Sequence, residues 1–318
     1  MSEKRKSRPR SRGAVVGHLA TLAALAAFAT WAWAVPAQAQ QPITGNYAPG
    51  ASSGMKGMVL PPAGTFVLEN GTLWFRIKDF VDGNGQTVPT ATSNVVANRT
   101  IIGYVTPLKI LGGEYFPAII PVFANAPLRP EPNSGRDFQY SDTVLQPVAL
   151  GWRHGALHSQ FAYNVWLPTG RFNAGASNNT GKGLYAHMLT YGVTWLQETE
   201  RPWAGTVNAR YEMLGKQRDT NINPGDVLTV EGGFGKEIVA GLDLGVGGYF
   251  STQTTEETGS PPTTDTTRYR FAGLGPEINW RPDALPGFQA TVRSYVDLGG
   301  RNTSQGVFTI FSFMYVFS

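Results

Sequence analysis

The sequence predicts an all-β protein: a transmembrane antiparallel β-barrel of about twelve strands, with an N-terminal signal peptide before it. Apolar and polar residues alternate in about twelve runs along the chain, which is typical of strands with one apolar face. Charged residues lie in the middle of several runs on the polar face, which in a membrane barrel lines the water-filled lumen. The N-terminus has a basic stretch followed by an Ala-rich run, and this order predicts export.

The positive charge of the chain is confined to its beginning. The 318 residues carry a formal net charge of +4, but residues 1–39 contain six Lys and Arg and one Glu. Of the 26 basic and 22 acidic residues, the remaining chain therefore has 20 and 21, a net charge of −1. Such a balance excludes a basic nucleic-acid-binding domain, and we expect no nucleic acid partner.

Residues 1–39 are predicted to be a cleavable signal peptide. A basic stretch precedes an Ala- and Leu-rich run from Ala14 to Val35, and Ala37-Gln38-Ala39 supplies the small residues of a cleavage site. The alternative is an uncleaved membrane anchor, but the run is mostly Ala and contains His18. Export to the outer membrane of a Gram-negative bacterium implies that the outer-membrane assembly machinery is a partner during biogenesis.

Residues 40–63 form a Gly- and Pro-rich segment with little alternation, which we expect to be flexible. Two interpretations stay open: the segment enters the lumen as a plug, or it is a disordered lead-in on the periplasmic side. Residues 64–318 are predicted to form the barrel, because no linker divides them.

The clearest run is Leu157–Leu167, where apolar residues at alternate positions lie on one face of the strand and polar residues such as His158 and Asn164 lie on the other. The run at 115–124 is the weakest because it contains Pro117 and Pro121, and Asn70-Gly71 could split the first run into a hairpin. A single-chain bacterial barrel needs an even number of strands. The runs lie near residues 65–80, 95–106, 115–124, 143–153, 156–167, 183–196, 204–214, 227–238, 241–253, 267–280, 288–298 and 305–317.

Two all-β architectures fit this pattern, a soluble sandwich or barrel and a transmembrane barrel. The length of the runs favours the membrane, because tilted membrane strands need about 9–11 residues and soluble strands average about 5–6. The mid-run polar residues are then predicted to line the lumen: Gln160, Asn164, Arg210, Glu212, Glu231, Arg268, Arg270, Arg293 and Asp297. Tryptophans near strand ends are predicted to form an interfacial aromatic girdle: Trp166, Trp195, Trp203 and Trp280.

No motif in the sequence predicts a cofactor, a metal site or a catalytic site. The chain has no Cys, and His154 and His158 would lie about 13 Å apart on a strand, too far to share one metal ion. An outer-membrane phospholipid hydrolase would need a Ser beside a His on one face, whereas His158 and Ser159 are adjacent and point to opposite faces. We therefore expect no enzyme.

Short motifs along the mature chain resemble the phenol meta-pathway degradation family of exported proteins. The resemblance extends from about Asn46 to Phe317, and it implies an outer-membrane transporter of aromatic compounds. The motifs are Leu60-Pro61-Pro62-Ala63-Gly64, Gly151-Trp152, Leu167-Pro168-Thr169-Gly170, Thr180-Gly181-Lys182-Gly183, Gly192-Val193-Thr194, Pro224-Gly225-Asp226, Gly247-Gly248-Tyr249 with Gln253, and Leu274-Gly275-Pro276-Glu277.

The function that this resemblance implies is passive uptake of small hydrophobic or aromatic compounds that feed phenol-type catabolism. A barrel of about twelve strands predicts a narrow or partly obstructed lumen, and the mixed charges on its polar faces argue against strong ion selectivity. The alternatives are a non-transporting outer-membrane anchor or structural barrel and, less favoured, the phospholipid hydrolase. Membrane lipid and a small apolar ligand are the expected partners.

Overall fold

The computed structural model describes residues 43–52, 54–125, 138–174, 176, 179–260 and 266–317. The predicted signal peptide, residues 1–39, lies outside the described residues, as do residues 40–42 of the segment that follows it. In the described part of the chain there is no helix long and apolar enough to cross a membrane.

The described residues form sixteen β-strands in one antiparallel sheet. The strands are β1 (Thr65–Val81), β2 (Thr87–Val105), β3 (Lys109–Ile110), β4 (Gly113–Tyr115), β5 (Ala118–Ile120), β6 (Val122–Ala124), β7 (Gln139–Tyr140), β8 (Thr143–His154), β9 (Leu157–Leu167), β10 (Ala186–Leu196), β11 (Trp203–Leu214), β12 (Val227–Val239), β13 (Leu242–Gln253), β14 (Arg270–Trp280), β15 (Phe288–Arg301) and β16 (Thr303–Phe317).

The sheet closes on itself because β1 pairs with both β2 and β16, from Phe66 opposite Phe317 to Val81 opposite Thr303. From β8 to β16 each strand pairs with the next along the chain. The short strands β4, β5 and β6 together occupy the single position between β2 and β8. The result is a closed twelve-stranded barrel, so the predicted fold class is confirmed.

Apart from shifts of a few residues at strand ends, the predicted runs and the observed strands differ most in the first third of the barrel. The run at 115–124 is divided into β4, β5 and β6, and the divisions fall at Pro117 and Pro121, which cannot donate a ladder hydrogen bond. Asn70-Gly71 does not make a hairpin, because β1 continues through both residues against β2 and β16. The second run begins at Thr87 rather than 95, which lengthens β2 to 19 residues.

The two ends of the barrel carry different connections. The end formed by Thr65 and Phe317, here called the short-turn end, carries the brief connections 155–156, 197–202 and 240–241. The opposite end, here called the loop end, carries the segments 168–185, 215–226 and 254–269. Bacterial outer-membrane barrels have short periplasmic turns and longer extracellular loops, and this barrel has the same asymmetry.

The strands bury polar side chains and expose apolar ones. In β11, Val207 is 58% exposed, whereas its neighbour Asn208 is 2% exposed, and the alternation continues to Glu212. Phe313 in β16 and Val296 in β15 are likewise more than half exposed. A soluble barrel has apolar side chains inside and polar ones outside. The apolar outer face of this barrel is therefore suited to contact with lipid.

Candidate functional site

The segment before β1 lies against the buried polar face of the strands. Its described residues 43–52 and 54–60, here called the strap, have no strand ladder of their own. Their backbone N–H groups instead donate to side chains of the barrel wall, from Glu257 beyond the loop end of β13 to Thr194 in β10. Because a buried N–H group needs a partner, the wall supplies what a neighbouring strand would otherwise supply.

At the loop end the strap is fixed by two carboxylates, a phenol and a lysine. The Ile43 N–H donates to Glu257 Oε2 at 2.7 Å, and the Asn46 N–H donates to Glu212 Oε1 at 2.7 Å. The Gly45 N–H donates to the hydroxyl of Tyr269 at 3.0 Å. Lys182 Nζ donates to the Thr44 carbonyl oxygen at 2.6 Å and also to that of Gly45.

Lys182 and Asp142 are held together in the loops, outside the strands. Burial lowers the pKa of the Lys182 ammonium to about 8, although Glu212 and Asp142 act in the opposite direction. Burial also raises the pKa of the Asp142 carboxyl, which accepts the Lys182 and Gly170 backbone N–H groups. Burial therefore makes the ammonium that contacts the strap easier to deprotonate than an exposed lysine.

In the middle of the barrel the strap meets a buried ion pair of Arg210 and Glu231. Arg210 Nε donates to Glu231 Oε1 at 2.7 Å, and both side chains are less than a tenth exposed. Glu231 also accepts the Gly50 N–H at 2.5 Å and the Tyr47 hydroxyl at 2.7 Å. The Arg210 guanidinium lies 4.5 Å from the centre of the Tyr47 ring. Such a charge pair is tolerated inside a protein only when further hydrogen bonds satisfy it, and here the strap supplies them.

At the short-turn end the strap is held by a second set of charged groups. The Met55 N–H donates to Glu277 Oε2 at 3.1 Å, and Arg293 Nε lies 3.4 Å from Glu277 Oε1. Lys56 Nζ donates to Asp243 Oδ1 at 2.8 Å, and Arg281 binds the other oxygen of the same carboxylate. Three barrel glutamates, Glu212, Glu231 and Glu277, thus each accept a backbone N–H of the strap.

On its other side the strap borders a cavity of about 1070 Å³. The largest share of this cavity's wall comes from β1, β2, β5, β6, β8, β9 and β16, and most of the wall is apolar. Strands β10, β11, β14 and β15 also contribute to it, with the charged side chains of Arg210, Glu277 and Arg293. The Arg99–Glu69 ion pair, with 2.8 Å between Nη2 and Oε1, interrupts this wall, and Arg99 also donates to the Ala51 carbonyl oxygen. The apolar residues that line it include Val67, Leu73, Ala97, Ile101, Phe116, Ile120, Val122, Val144, Ala162, Trp166 and Met314.

The residues predicted to line the lumen fall into two groups. Those that are buried or half-buried on the polar face, against the strap, the cavity or inward-facing neighbours, are Gln160, Asn164, Arg210, Glu212, Glu231, Arg293 and Asp297. Asp297 accepts the Tyr249 hydroxyl at 2.8 Å. Arg268 and Arg270 are exposed instead, and Arg268 reaches Glu256 in the loop at 3.3 Å. The structure therefore does not bring these two arginines to the strap, and a role in lining an open lumen stays a prediction for the others.

Three of the four tryptophans predicted for the girdle are exposed near the short-turn end. Trp203 stacks on Phe234 with 5.2 Å between ring centres, Trp280 lies edge-on to Phe288, and Trp195 is 40% exposed. Trp166 differs: it shares a face with Ala162 and Asn164, packs against the buried cluster that contains Ala186, and lines the cavity. Its inclusion in the girdle is wrong, because the strand alternation that defines β9 places it on the inner face.

The histidines are not arranged for metal binding or hydrolysis. The described residues contain no group of three His, Asp, Glu or Cys side chains that could hold a metal ion. His158 is buried and Ser159 follows it on the opposite face, whereas the His187 ring stacks on Tyr163 and its Nδ1 lies 2.8 Å from the Tyr163 hydroxyl. No Ser–His pair is seen among these residues.

Some residues of this site lie in recognisable sequence motifs, and others do not. Glu277 and Lys182 both lie within the short motifs that carry the family resemblance, but nothing in those motifs marks a contact with residues 43–60. Asp243 is adjacent to the turn at Gly241, where an acidic residue is ordinarily solvated. Its contact with Lys56 depends on residues 187 positions apart in the chain.

Comparison with known proteins shows the family of the chain and a similar fold. The family described as "Putative MetA-pathway of phenol degradation" matches residues 78–313. The COG4313 outer membrane channel from Pseudomonas putida F1 is similar in structure, with a TM-score of 0.67 and 15% identity over 86% of this chain and 100% of that one. The β domain of the Bordetella autotransporter BrkA has a TM-score of 0.47 and 11% identity over 80% of this chain and 100% of that one. No curated protein matches the sequence.

Proposed function

The chain belongs to the family described as "Putative MetA-pathway of phenol degradation", and on that premise we propose that it takes up small hydrophobic or aromatic compounds passively across the outer membrane of a Gram-negative bacterium. It has the fold of an outer-membrane channel. The proposed substrates are those that feed phenol-type catabolism. The assembly machinery of the outer membrane is the proposed partner during biogenesis.

The observation that carries this proposal is the division of the barrel interior into two sides. Strands β11 to β15 present the buried charges that bind the strap, whereas β1, β2, β8 and β9 contribute apolar side chains to a cavity of about 1070 Å³. Arg210, Glu277 and Arg293 border the polar margin of this cavity. Ligand sites for small apolar molecules are lined mostly by hydrophobic and aromatic groups with a few polar ones, and their volumes are about 300–1,000 Å³. The cavity matches that description.

We further propose that residues 40–63 act as a plug that keeps the lumen narrow. The strap fills the polar side of the interior and leaves the apolar side, so water and ions lose the wide path that an empty twelve-stranded barrel would offer. An apolar solute needs neither charge compensation nor a nucleotide to move through such a space. Passive movement down a concentration gradient is therefore the mechanism that we infer.

Uptake into intact Gram-negative cells tests the proposal. Simple phospholipid bilayers pass small aromatics on their own, so the assay needs the lipopolysaccharide barrier. We expect cells that produce the protein to take up N-phenyl-1-naphthylamine faster than cells with an empty vector, as measured by its fluorescence. Equal rates with correctly folded protein would contradict transport and leave a structural barrel as the better function.

A matched pair of variants tests whether the solute passes through the cavity. Ala97 lines the cavity on β2, whereas Ala209 is exposed on the outer face of β11. We expect Ala97→Trp to slow uptake because the indole fills space that the solute would use, and Ala209→Trp to leave it unchanged. Equal effects of both variants would exclude the cavity as the route.

A further inference from the structure

The outer face of the barrel carries a group of arginines at the loop end of β14 and β15. Arg270 begins β14, and its register partners are Thr252 on β13 and Arg301 on β15. Register partners lie on the same face of a sheet, and Arg270 shares its face with the exposed Leu274, so both arginines lie on the outside of the barrel. Arg268 is exposed two residues before Arg270. These three arginines are here called the arginine patch.

Hydrogen bonds to the backbone hold the side chains of the patch close together. Arg301 Nε donates to the Arg268 carbonyl oxygen at 3.1 Å, and Arg268 Nη1 donates to the Thr254 carbonyl oxygen at 2.9 Å. Register partners in an antiparallel pair have Cα atoms about 4.5–5.5 Å apart, so the side chains of Arg270 and Arg301 begin side by side. The patch therefore presents its positive charges at one place.

The described part of the chain supplies little negative charge to the patch. Glu256 lies 3.3 Å from Arg268 Nη2, and both of these side chains are exposed, so the pair is weak. Among the described residues, no carboxylate forms an ion pair with Arg270 or Arg301. Like charges directly opposite each other on two strands are destabilising. The pairing of Arg270 with Arg301 therefore favours the binding of an anion between them.

Basic residues on the outer face of the loop-end half of the barrel are concentrated in one sector. Strands β14, β15, β16 and β1 are consecutive in the sheet, and β1 adds the exposed Arg76 and Lys78 to this sector. Strands β8 to β13 carry no Lys or Arg on the outer face of that half. Uncharged residues such as the register partners Tyr211 and Leu228 lie there instead. The distribution indicates one anion-binding surface rather than a solvated rim around the whole barrel.

The patch lies at the level of one membrane interface. Trp280, which is exposed near the short-turn end, is ten positions from Arg270 along β14. Ten residues of a strand span about 33 Å, and a tilt of about 35–45° reduces this to about 25 Å along the membrane normal. The apolar band of outer-membrane barrels is also about 25 Å tall. Arg270 is therefore at the level of the lipid headgroups on the loop side.

We propose that the arginine patch binds the phosphate groups of lipid A in the outer leaflet of the outer membrane. Barrels with this asymmetry of turns and loops place their long loops outside the cell, where the leaflet consists of lipopolysaccharide. A guanidinium group binds phosphate through two parallel hydrogen bonds. The half-exposed Leu274 and Val296 on the membrane side of the patch contact the acyl chains. The inference rests on the proposed outer-membrane location and is independent of what the barrel takes up.

Binding of lipid A to the purified protein tests the patch. Native mass spectrometry in a neutral detergent measures the bound lipid at increasing lipid concentration, with EDTA present so that no divalent cation bridges lipid and protein. Arg270→Gln/Arg301→Gln removes two guanidinium groups of the patch. Arg153→Gln/Arg201→Gln is the matched control, because these two exposed arginines lie at the short-turn end.

The expected result is a loss of affinity that depends on both the arginines and the phosphates. We expect Arg270→Gln/Arg301→Gln to weaken lipid A binding about thirtyfold, from the contribution of each cation at an anionic lipid surface, and the control to leave it unchanged. The unsubstituted protein should bind dephosphorylated lipid A as weakly as the variant binds the phosphorylated form. A heat-dependent shift on a gel shows that each variant is folded.

Several outcomes would overturn the proposal. Equal affinity of the variant and the unsubstituted protein, or of lipid A with and without its phosphates, would exclude the patch as a phosphate site. Phosphatidylglycerol that binds as tightly as lipid A would show a general site for anionic lipid. Equal losses in the two double variants would show an effect of net charge alone. Failure of cellular uptake leaves all of these measurements unaffected, so the two proposals fail separately.

Discussion

At the scale of single residues, the interior is organised by carboxylates that bind backbone N–H groups. Glu231 accepts hydrogen bonds from Arg210 Nε on β11 and from the Gly50 N–H and the Tyr47 hydroxyl of the strap. A carboxylate with charged and uncharged donors around it is stable in the barrel interior only while each donor is in place. The strap and the polar wall therefore depend on each other.

Replacement of Arg210 tests this dependence. We expect Arg210→Met to lower the free energy of unfolding by about 3–5 kcal/mol, because it leaves the buried Glu231 carboxylate without its cation. Urea unfolding from phospholipid vesicles measures the change. Arg268→Met is the control: Arg268 and Glu256 form an exposed pair, and loss of such a pair costs about 0–1 kcal/mol. Equal losses in the two variants would contradict a structural role of the buried pair.

At the scale of elements, the strap is positioned by glycines that bring its backbone close to the wall. Gly50 has a φ of +83°, and a Cβ at that position would lie 2.7 Å from Tyr295 Cε2. A side chain there meets both a strained backbone conformation and an aromatic ring. Gly50 is therefore one of the residues that let the strap backbone lie close to the barrel wall.

A pair of glycine variants separates these two effects. Gly64 has a similar φ of +88° but no atom within 4 Å of an added Cβ. We expect Gly50→Val to lower the free energy of unfolding by about 1–3 kcal/mol more than Gly64→Val does, because only the former adds a steric clash to the backbone strain. Gly50→Val should also raise single-channel conductance in planar bilayers, since a displaced strap opens the polar side of the lumen. Equal conductance in both variants would contradict the plug.

At the scale of the whole molecule, the barrel satisfies its backbone by closure. The ladder from β1 to β16 has no free edge except at the interrupted position between β2 and β8, so the long strands have partners on both sides. Closed ladders with apolar outer faces are the only β structures that lipid accepts. The exposed tryptophans near the short-turn end suit the interfacial region of a bilayer.

Closure of the barrel predicts that heating changes the migration of the protein on a gel. We expect the unheated protein in sodium dodecyl sulfate to migrate faster than the boiled protein, because the closed ladder keeps the chain compact until heat opens it. The protein should also fractionate with the outer membrane. Release as a soluble periplasmic protein, with no shift on heating, would contradict the membrane barrel.

The sequence alone predicted much of this architecture, and its misses have physical causes. Alternation in β9, β11 and β15 predicted which residues share a face, because side chains of a strand alternate without exception in a regular ladder. The same rule, applied to Trp166, would have placed it inside rather than in the girdle. Arg268 and Arg270 were assigned inward, but Arg270 pairs with Thr252 and Arg301 in the ladder and shares the outer face of β14 with Leu274 and Ile278. Arg268 lies two residues before Arg270, outside the strand.

The sequence by itself determined that the protein is all-β and closed by about twelve amphipathic strands, because these properties reside in local periodicity. Only the tertiary structure decided where residues 43–60 go, since their partners Glu212, Glu231 and Glu277 are 150 or more positions away in the chain. Contacts of that kind depend on the register and closure of the whole barrel, which no local pattern records.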